Sequence, residues 1–182
     1  MKRTDSFEKY YNRLVSLDCS PGNSWKRVLA HRNYEDLWAV GFDPSNKYLL
    51  CITGGEREIW CLDSLSLIHQ EERTEEQERI CDYHSTIKGF GCCEGQTIQM
   101  VSAFGGGLPR ETDAWKLYDV TLHWPYQDIL LIDLTTSDFP LETALKVYST
   151  NTTLIGYGFS QNGKYFVIAE RDQLSIYALS SS

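Results

Sequence analysis

Four histidines, six cysteines and 25 acidic residues are what this 182-residue chain offers for chemistry. His84 or His123 with Asp82 or Asp128 would make a carboxylate/His pair, the minimum a hydrolase needs to activate a water. Their spacing does not single such a pair out, because acids are abundant along the chain. Cys81, His84, Cys92 and Cys93 are zinc-ligand types, but the adjacent Cys92-Cys93 and the lack of any Cys-x-x-Cys pair depart from zinc-holding spacings. No phosphate-cradling glycine loop is present. Phe104-Gly105-Gly106-Gly107-Leu108 has the form of an oxyanion-hole loop, yet no Gly-x-Ser-x-Gly elbow accompanies it, so it reads as a loop tip. The glutamate pairs Glu71-Glu72 and Glu75-Glu76 carry no catalytic signal in so acidic a chain. The expectation is a protein that is not an enzyme, with no catalytic residue, no metal-ligand set and no cofactor.

Two features suit binding instead. Residues 69–82 hold six acids against two arginines, a net −4 and half of the chain's net −8. A solvated linker or short helix, with Thr74 and Gln77 as a capping box, explains that run without any function. Read functionally, Glu71, Glu72, Glu75, Glu76 and Glu78 make an acidic contact face for a basic protein, since complementary charge steers encounter. The second feature is the stretch 105–128, where Trp115, Tyr118, Trp124 and Tyr126 stand among Arg110, Glu111, Asp113 and Asp128. Some of these aromatics pack inward, and the others are of the types that anchor protein interfaces. Aromatics set between acids also suit sugar stacking, which ranks below protein binding.

The elements that must position these residues follow from periodicity. Residues 1–19 read as a helix capped by Thr4 or Asp5, with Phe7, Tyr10 or Tyr11, Leu14 and Leu17 at helical spacing. Its other face has no basic cluster, so the stripe is a packing face rather than a membrane surface. Cys19-Ser20-Pro21-Gly22-Asn23 ends it. Beyond, Trp38, Val40 and Phe42 alternate with small residues, Asp43-Pro44-Ser45-Asn46 makes a turn, and strands follow at 48–53 and 58–62. This is a three-stranded antiparallel meander, with Trp38, Val40 and Phe42 on one face.

The meander recurs. An offset of 117 residues lays Leu37–Asp63 on Leu154–Ser180 without a gap. Leu37, Gly41, Phe42, Lys47, Tyr48, Ile59 and Leu62 meet identical residues, and Trp38, Val40 and Trp60 meet Ile155, Tyr157 and Tyr177. A third, degenerate copy is expected over 87–134, interrupted by an insertion at 105–128 and closed by a strand at 129–134.

Leu29-Ala30-His31, then Leu37 to Pro44, then Ile59-Trp60-Cys61-Leu62 resemble a WD-repeat of a β-propeller. The resemblance runs over 27–63 and again over 154–179. It implies that His31 and Trp60 match the histidine and tryptophan of the motif, and that Thr53 is the hydroxyl residue of their hydrogen-bonded network. Ala30 stands where the family has glycine, Cys61 where it has aspartate, and Gly55 or Glu56 where it has the turn aspartate. Such residues would be structural.

Composition sets the outer bounds. A chain with 42% hydrophobic and 13% aromatic residues is not disordered, and its length fits one domain, residues 1–182. No apolar run approaches the roughly 20 residues of a membrane span, and Met1-Lys2-Arg3-Thr4-Asp5 does not begin a signal peptide. A pI near 5.0 argues against direct nucleic-acid binding. Cysteines without a disulfide pattern fit a reducing cytoplasm. The fold expected is all-β: three or four blade-like meanders with an N-terminal helix, as a small or incomplete propeller or a sandwich. The function expected is binding of a basic protein, most concretely as an inhibitor of the kind that immunity proteins are to nuclease toxins. A scaffold role is the alternative within the binding class, and a hydrolase with a carboxylate/His pair the alternative outside it.

Overall fold

A computed structural model of the chain describes residues 2–74, 85–103, 105–136 and 142–180, with backbone alone for 2–7 and 30–32. The protein is all-β with an N-terminal helix and several antiparallel sheets. It divides into two compact units: a larger one of residues 27–109 and 153–179, and a smaller one of residues 1–26, 110–152 and 180–182. Among the described residues the sheets do not close into a propeller.

In the larger unit, strands β2 (Leu37–Phe42), β3 (Tyr48–Thr53) and β4 (Glu56–Cys61) form the expected meander. Strand β5 (Ser66–Glu72) extends it, so residues 69–72 of the acidic run are neither linker nor helix. On the other side of β2 lie the short β8 (Val101–Ser102) and β9 (Gly105–Gly106), giving the order β5-β4-β3-β2-β8-β9. The second sheet holds β13 (Leu154–Phe159), β14 (Tyr165–Glu170) and β15 (Gln173–Leu179), joined at β15 by β1 (Trp25–Asn33). Each meander therefore gains a fourth strand, and that of the second comes from the chain just before the first. A hairpin of β6 (Thr86–Lys88) and β7 (Thr97–Gln99) completes the unit.

The repeat is exact in backbone detail. Leu62 N donates to Lys47 O at 2.9 Å, and Leu179 N to Lys164 O at 2.8 Å. Asn46 N donates to Asp43 O, and Gly163 N to Ser160 O, both at 2.9 Å. Asn46 and Gly163 sit at φ 58° and 67°, the left-handed region where asparagine and glycine are tolerated best. The turns use different side chains for one task. Asp43 Oδ1 accepts from the backbone N–H of Lys47 and Tyr48, whereas Ser160 Oγ accepts from Tyr165 and Asn162 Oδ1 from Lys164.

The faces reveal how the repeats stack. Val40, Phe42, Leu49, Cys51 and Trp60 share one cluster with Val167, Ala169 and Ile176. The first-repeat equivalents of that latter trio are Leu50, Ile52 and Ile59. They lie on the opposite face, in a second cluster with Ile87, Phe90, Ile98 and Met100. The two sheets thus pack front to back, both the same way round. Phe42 and Phe159 are both buried, but Trp38 departs from expectation, being 39% exposed. The register slips between Leu37 and Ala39, and again between Leu154 and Gly156. This bulge turns Trp38 off the Val40 face and Ile155 into the shared cluster. Arg73 covers the Trp38 ring at 3.9 Å, and Asp36 Oδ2 accepts from its Nε1 at 2.6 Å.

The network implied for Trp60 takes another form. Its Nε1 donates to Glu58 Oε2 at 2.9 Å, and Tyr34 OH donates to the same oxygen at 2.9 Å. Glu58 lies two residues before Trp60, so both side chains leave the strand on one face and the carboxylate reaches the indole first. Thr53 Oγ1 instead accepts from Glu56 N at 2.9 Å and serves its own turn. The His31 side chain lies outside the described residues.

The smaller unit contains helix α1 (Lys2–Val15) and a sheet ordered β10 (Trp115–His123), β11 (Tyr126–Asp133), β12 (Leu145–Thr150). The helix begins before Thr4 and Asp5, which stand inside it rather than at its cap. It ends where Ser16 Oγ donates to Arg13 O at 2.8 Å. Its stripe packs as read: Leu14 clusters with Leu130, Ile132 and Ala144, with Leu17, Val120 and Leu122 against them. The stretch read as an insertion is mostly strand. Residues 115–123 pair with β11, Leu117 being buried opposite Leu131, and Trp115 packs edge-on against Trp25, ring centroids 6.1 Å apart.

The equivalence of the two turns gives a stability prediction. Gly163→Ala should cost about 1–2 kcal/mol, because a Cβ is unfavourable at that φ. Asn46→Gly should change stability by less than about 1 kcal/mol. Urea unfolding of both variants measures the contrast, and equal effects would show that the turns are not equivalent.

Candidate functional site

Apolar surface is concentrated on the smaller unit. Of eight exposed large apolar side chains among the described residues, Tyr11, Val15, Tyr118, Trp124 and Tyr126 belong to it. The β10–β11 hairpin presents three of them. His123 pairs with Tyr126 across the tip, which leaves Trp124 and Pro125 as the turn residues, joined by a cis bond. Trp124 has no strand neighbour to pack on and is 82% exposed. Tyr118 lies opposite Leu130, on the face that α1 covers, and emerges at its margin half exposed. Tyr126 is 44% exposed on the same face. Trp115, expected as an interface anchor, is half-buried against Trp25 and serves packing.

Beside the tip, Val15 at the end of α1 and the sheet line a recess of about 320 Å³. Asp128 and Lys146 form its charged pair, Lys146 Nζ standing 3.6 Å from Asp128 Oδ2. Both are largely buried. Asp128 Oδ1 is buried without a hydrogen-bond partner among the described residues. His123, Tyr126 and Ser149 line the polar side, and Val15 and Leu122 the apolar side. Tyr11 OH holds the wall by donating to Leu122 O at 3.0 Å. His123 and Asp128, one of the acid–base pairs considered from sequence, share this recess, but the charge partner of Asp128 is Lys146.

The acidic cluster divides. Glu75, Glu76 and Glu78 lie outside the described residues, as do Cys81, Asp82, His84 and the Gln77 of the supposed capping box. Glu71 and Glu72 are on β5, in the larger unit. Alternation turns Glu71 inward, where it is bound by Arg57 and by His69 Nε2 at 3.0 Å. The Arg57 guanidinium also lies over the Phe90 ring at 4.2 Å. Glu71 is thus an internal ion-pair member and not an open contact. Glu72 is exposed. Trp115, Tyr118, Trp124 and Tyr126 are in the smaller unit.

Lys146 and Ser149 escaped the sequence reading. The available signal was a charged residue in a strand otherwise suited to burial: Lys146 in Leu-Lys-Val-Tyr, and Asp128 heading the run Ile129–Ile132. Among the described residues no three His, Cys, Asp or Glu side chains stand close enough to hold a metal ion. Cys19, Cys51, Cys61, Cys92 and Cys93 are free thiols. No described helix is long and apolar enough to cross a membrane. No protein-family model matches the chain, and no curated protein matches it.

Glu71 carries a pH prediction. Burial pushes its carboxyl pKa up, but the hydrogen bonds from His69 and Arg57 outweigh that and hold it below the usual value. A depressed folded pKa adds stability above the unfolded value, roughly 4.3, and loses it as pH falls through the lower folded one. Unfolding followed from pH 6 to pH 3 should show Glu71→Gln losing less stability across that range than the native chain. Identical pH profiles would mean that Glu71 is not ion-paired in solution.

Proposed function

We propose that this chain is a non-catalytic protein-binding module, most concretely a small acidic inhibitor that binds and neutralises a basic effector, as immunity proteins do nuclease toxins. The observation that carries the reading is the exposed aromatic hairpin, with Trp124 at its tip and Tyr126 and Tyr118 beside it. Exposed Trp and Tyr on a hairpin are the side chains whose burial yields most on association. A net charge of −8 supports a basic partner, because long-range attraction raises encounter rates. With Glu71 engaged by Arg57, steering is assigned to Glu72, Glu75, Glu76 and Glu78 and to the charge of the chain as a whole. The WD-repeat resemblance of 27–63 and 154–179 supports the same class, with a scaffold or assembly subunit as its other form. Free thiols support a cytoplasmic setting. The hydrolase reading has one observation in its favour, the shared recess of His123 and Asp128.

Capture of a partner, followed by surface plasmon resonance at two salt concentrations, tests the reading. The association rate should fall with salt, because charge acts on encounter. Trp124→Ala should speed release about 10-fold or more while leaving the unfolding midpoint unchanged. Tyr118→Ala should act in the same direction. An unaltered release rate for Trp124→Ala would remove the hairpin from the interface and the proposal with it.

A further inference from the structure

The recess of the smaller unit has the make-up of a ligand site that adjoins the exposed tip and shares Tyr126 with it. Its roughly 320 Å³ lies at the small end of ligand pockets, enough for one hexose ring. Its charges are balanced but poorly satisfied. Asp128 is 4% exposed, has no hydrogen-bond partner at Oδ1, and faces Lys146 Nζ at 3.6 Å from Oδ2, beyond hydrogen-bond length. The pair therefore offers an acceptor and an ammonium with donors to spare, side by side.

That arrangement selects the charge of a ligand. A cation attracted by Asp128 is repelled by Lys146, and an anion meets the reverse. A neutral group with a donor and an acceptor on neighbouring atoms satisfies both without adding charge to a buried site. Vicinal hydroxyls of a sugar are such a group, since every hydroxyl both donates and accepts. Ser149 and His123 add further polar atoms at the rim, more than a single flat amide would use. Val15, Leu122 and the Tyr126 ring supply apolar surface for the C–H face of a pyranose. We infer that this recess binds a neutral sugar residue, one ring hydroxyl donating to the Asp128 carboxylate and its neighbour accepting from Lys146 Nζ.

Saturation-transfer NMR on the full chain tests this, with the methyl glycosides of mannose, galactose and glucose as probes. Acetamide, acetate and methylguanidinium test the amide, anion and cation alternatives. At least one glycoside should saturate with a Kd of about 1–10 mM, ordinary for one small ring. Tyr126→Ala should weaken it about tenfold, and Asp128→Asn should abolish it. If Asp128→Asn fails to fold, Tyr126→Ala and Ser149→Ala, both at exposed positions, carry the test, and each should weaken binding. The inference is overturned if no glycoside saturates up to about 50 mM, if binding survives these substitutions unchanged, or if acetamide or a charged probe binds at least as well. The titration contains no protein partner, so its failure leaves the protein-binding reading intact, and failure of that reading leaves the sugar site intact.

Discussion

The larger unit depends on one seam, where the Val40–Leu49–Trp60 face of the first repeat meets the Val167–Ala169–Ile176 face of the second. Because the two sheets stack front to back, each repeat must bury both faces, one on its twin and one on something else. The first meets that demand with Ile87 and Ile98 of the β6–β7 hairpin and Met100 just after it. Close approach is part of the same constraint. Gly41 and Gly158 are equivalent in the repeat, and a Cβ at either would strike neighbouring chain: Gln99 O and Met100 Sδ at the first, Leu108 Cβ at the second. Glycine at this position lets a backbone segment lie on the opening strand of each repeat.

Two carboxylates buried within strands, Glu58 and Asp128, are handled differently. In the larger unit Glu58 has two good donors on one oxygen, from Tyr34 and Trp60, and its neighbours close over it. Burial, followed by the nearby Cys51 and Glu58, pushes the Tyr34 hydroxyl pKa up, so it stays a donor. Such a network fixes one arrangement of the core, since any shift leaves a polar group without a partner. In the smaller unit Asp128 and Lys146 cancel in charge but not in hydrogen bonds. The first arrangement is complete in itself, and the second is open to a further molecule.

The same contrast holds at the surface. The larger unit covers what its bulge exposes: Trp38 lies under Arg73, and Asp36 ties it to Arg171, whose Nε donates at 2.8 Å. The hydrogen bonds from Trp38 and then Arg171 hold the Asp36 carboxyl below its usual pKa. Its edge strand β5 turns Gln70 and Glu72 outward, which discourages pairing with another sheet. The smaller unit leaves Tyr118, Trp124 and Tyr126 uncovered. At 82% exposure Trp124 buries little of its apolar surface within its own unit.

What the sequence determined by itself was local and periodic. The helix stripe through Leu14 and Leu17, the alternation of β2, and the gapless offset of 117 were legible because side-chain direction follows backbone period. Tertiary structure alone decided the rest. Trp38 reads as core by alternation, and only a bulge turned it out. Glu71 reads as open acid, and only the cross-strand approach of Arg57 made it an internal ion pair. Trp115 and Trp124 read alike, nine residues apart, yet one rests on Trp25 and the other stands exposed at the hairpin tip. The recess joins a helix end, a hairpin tip and a strand that begins 120 residues after the start of the chain's first strand. Burial and charge pairing are set by which distant segments meet, and a single chain's local pattern does not encode that meeting.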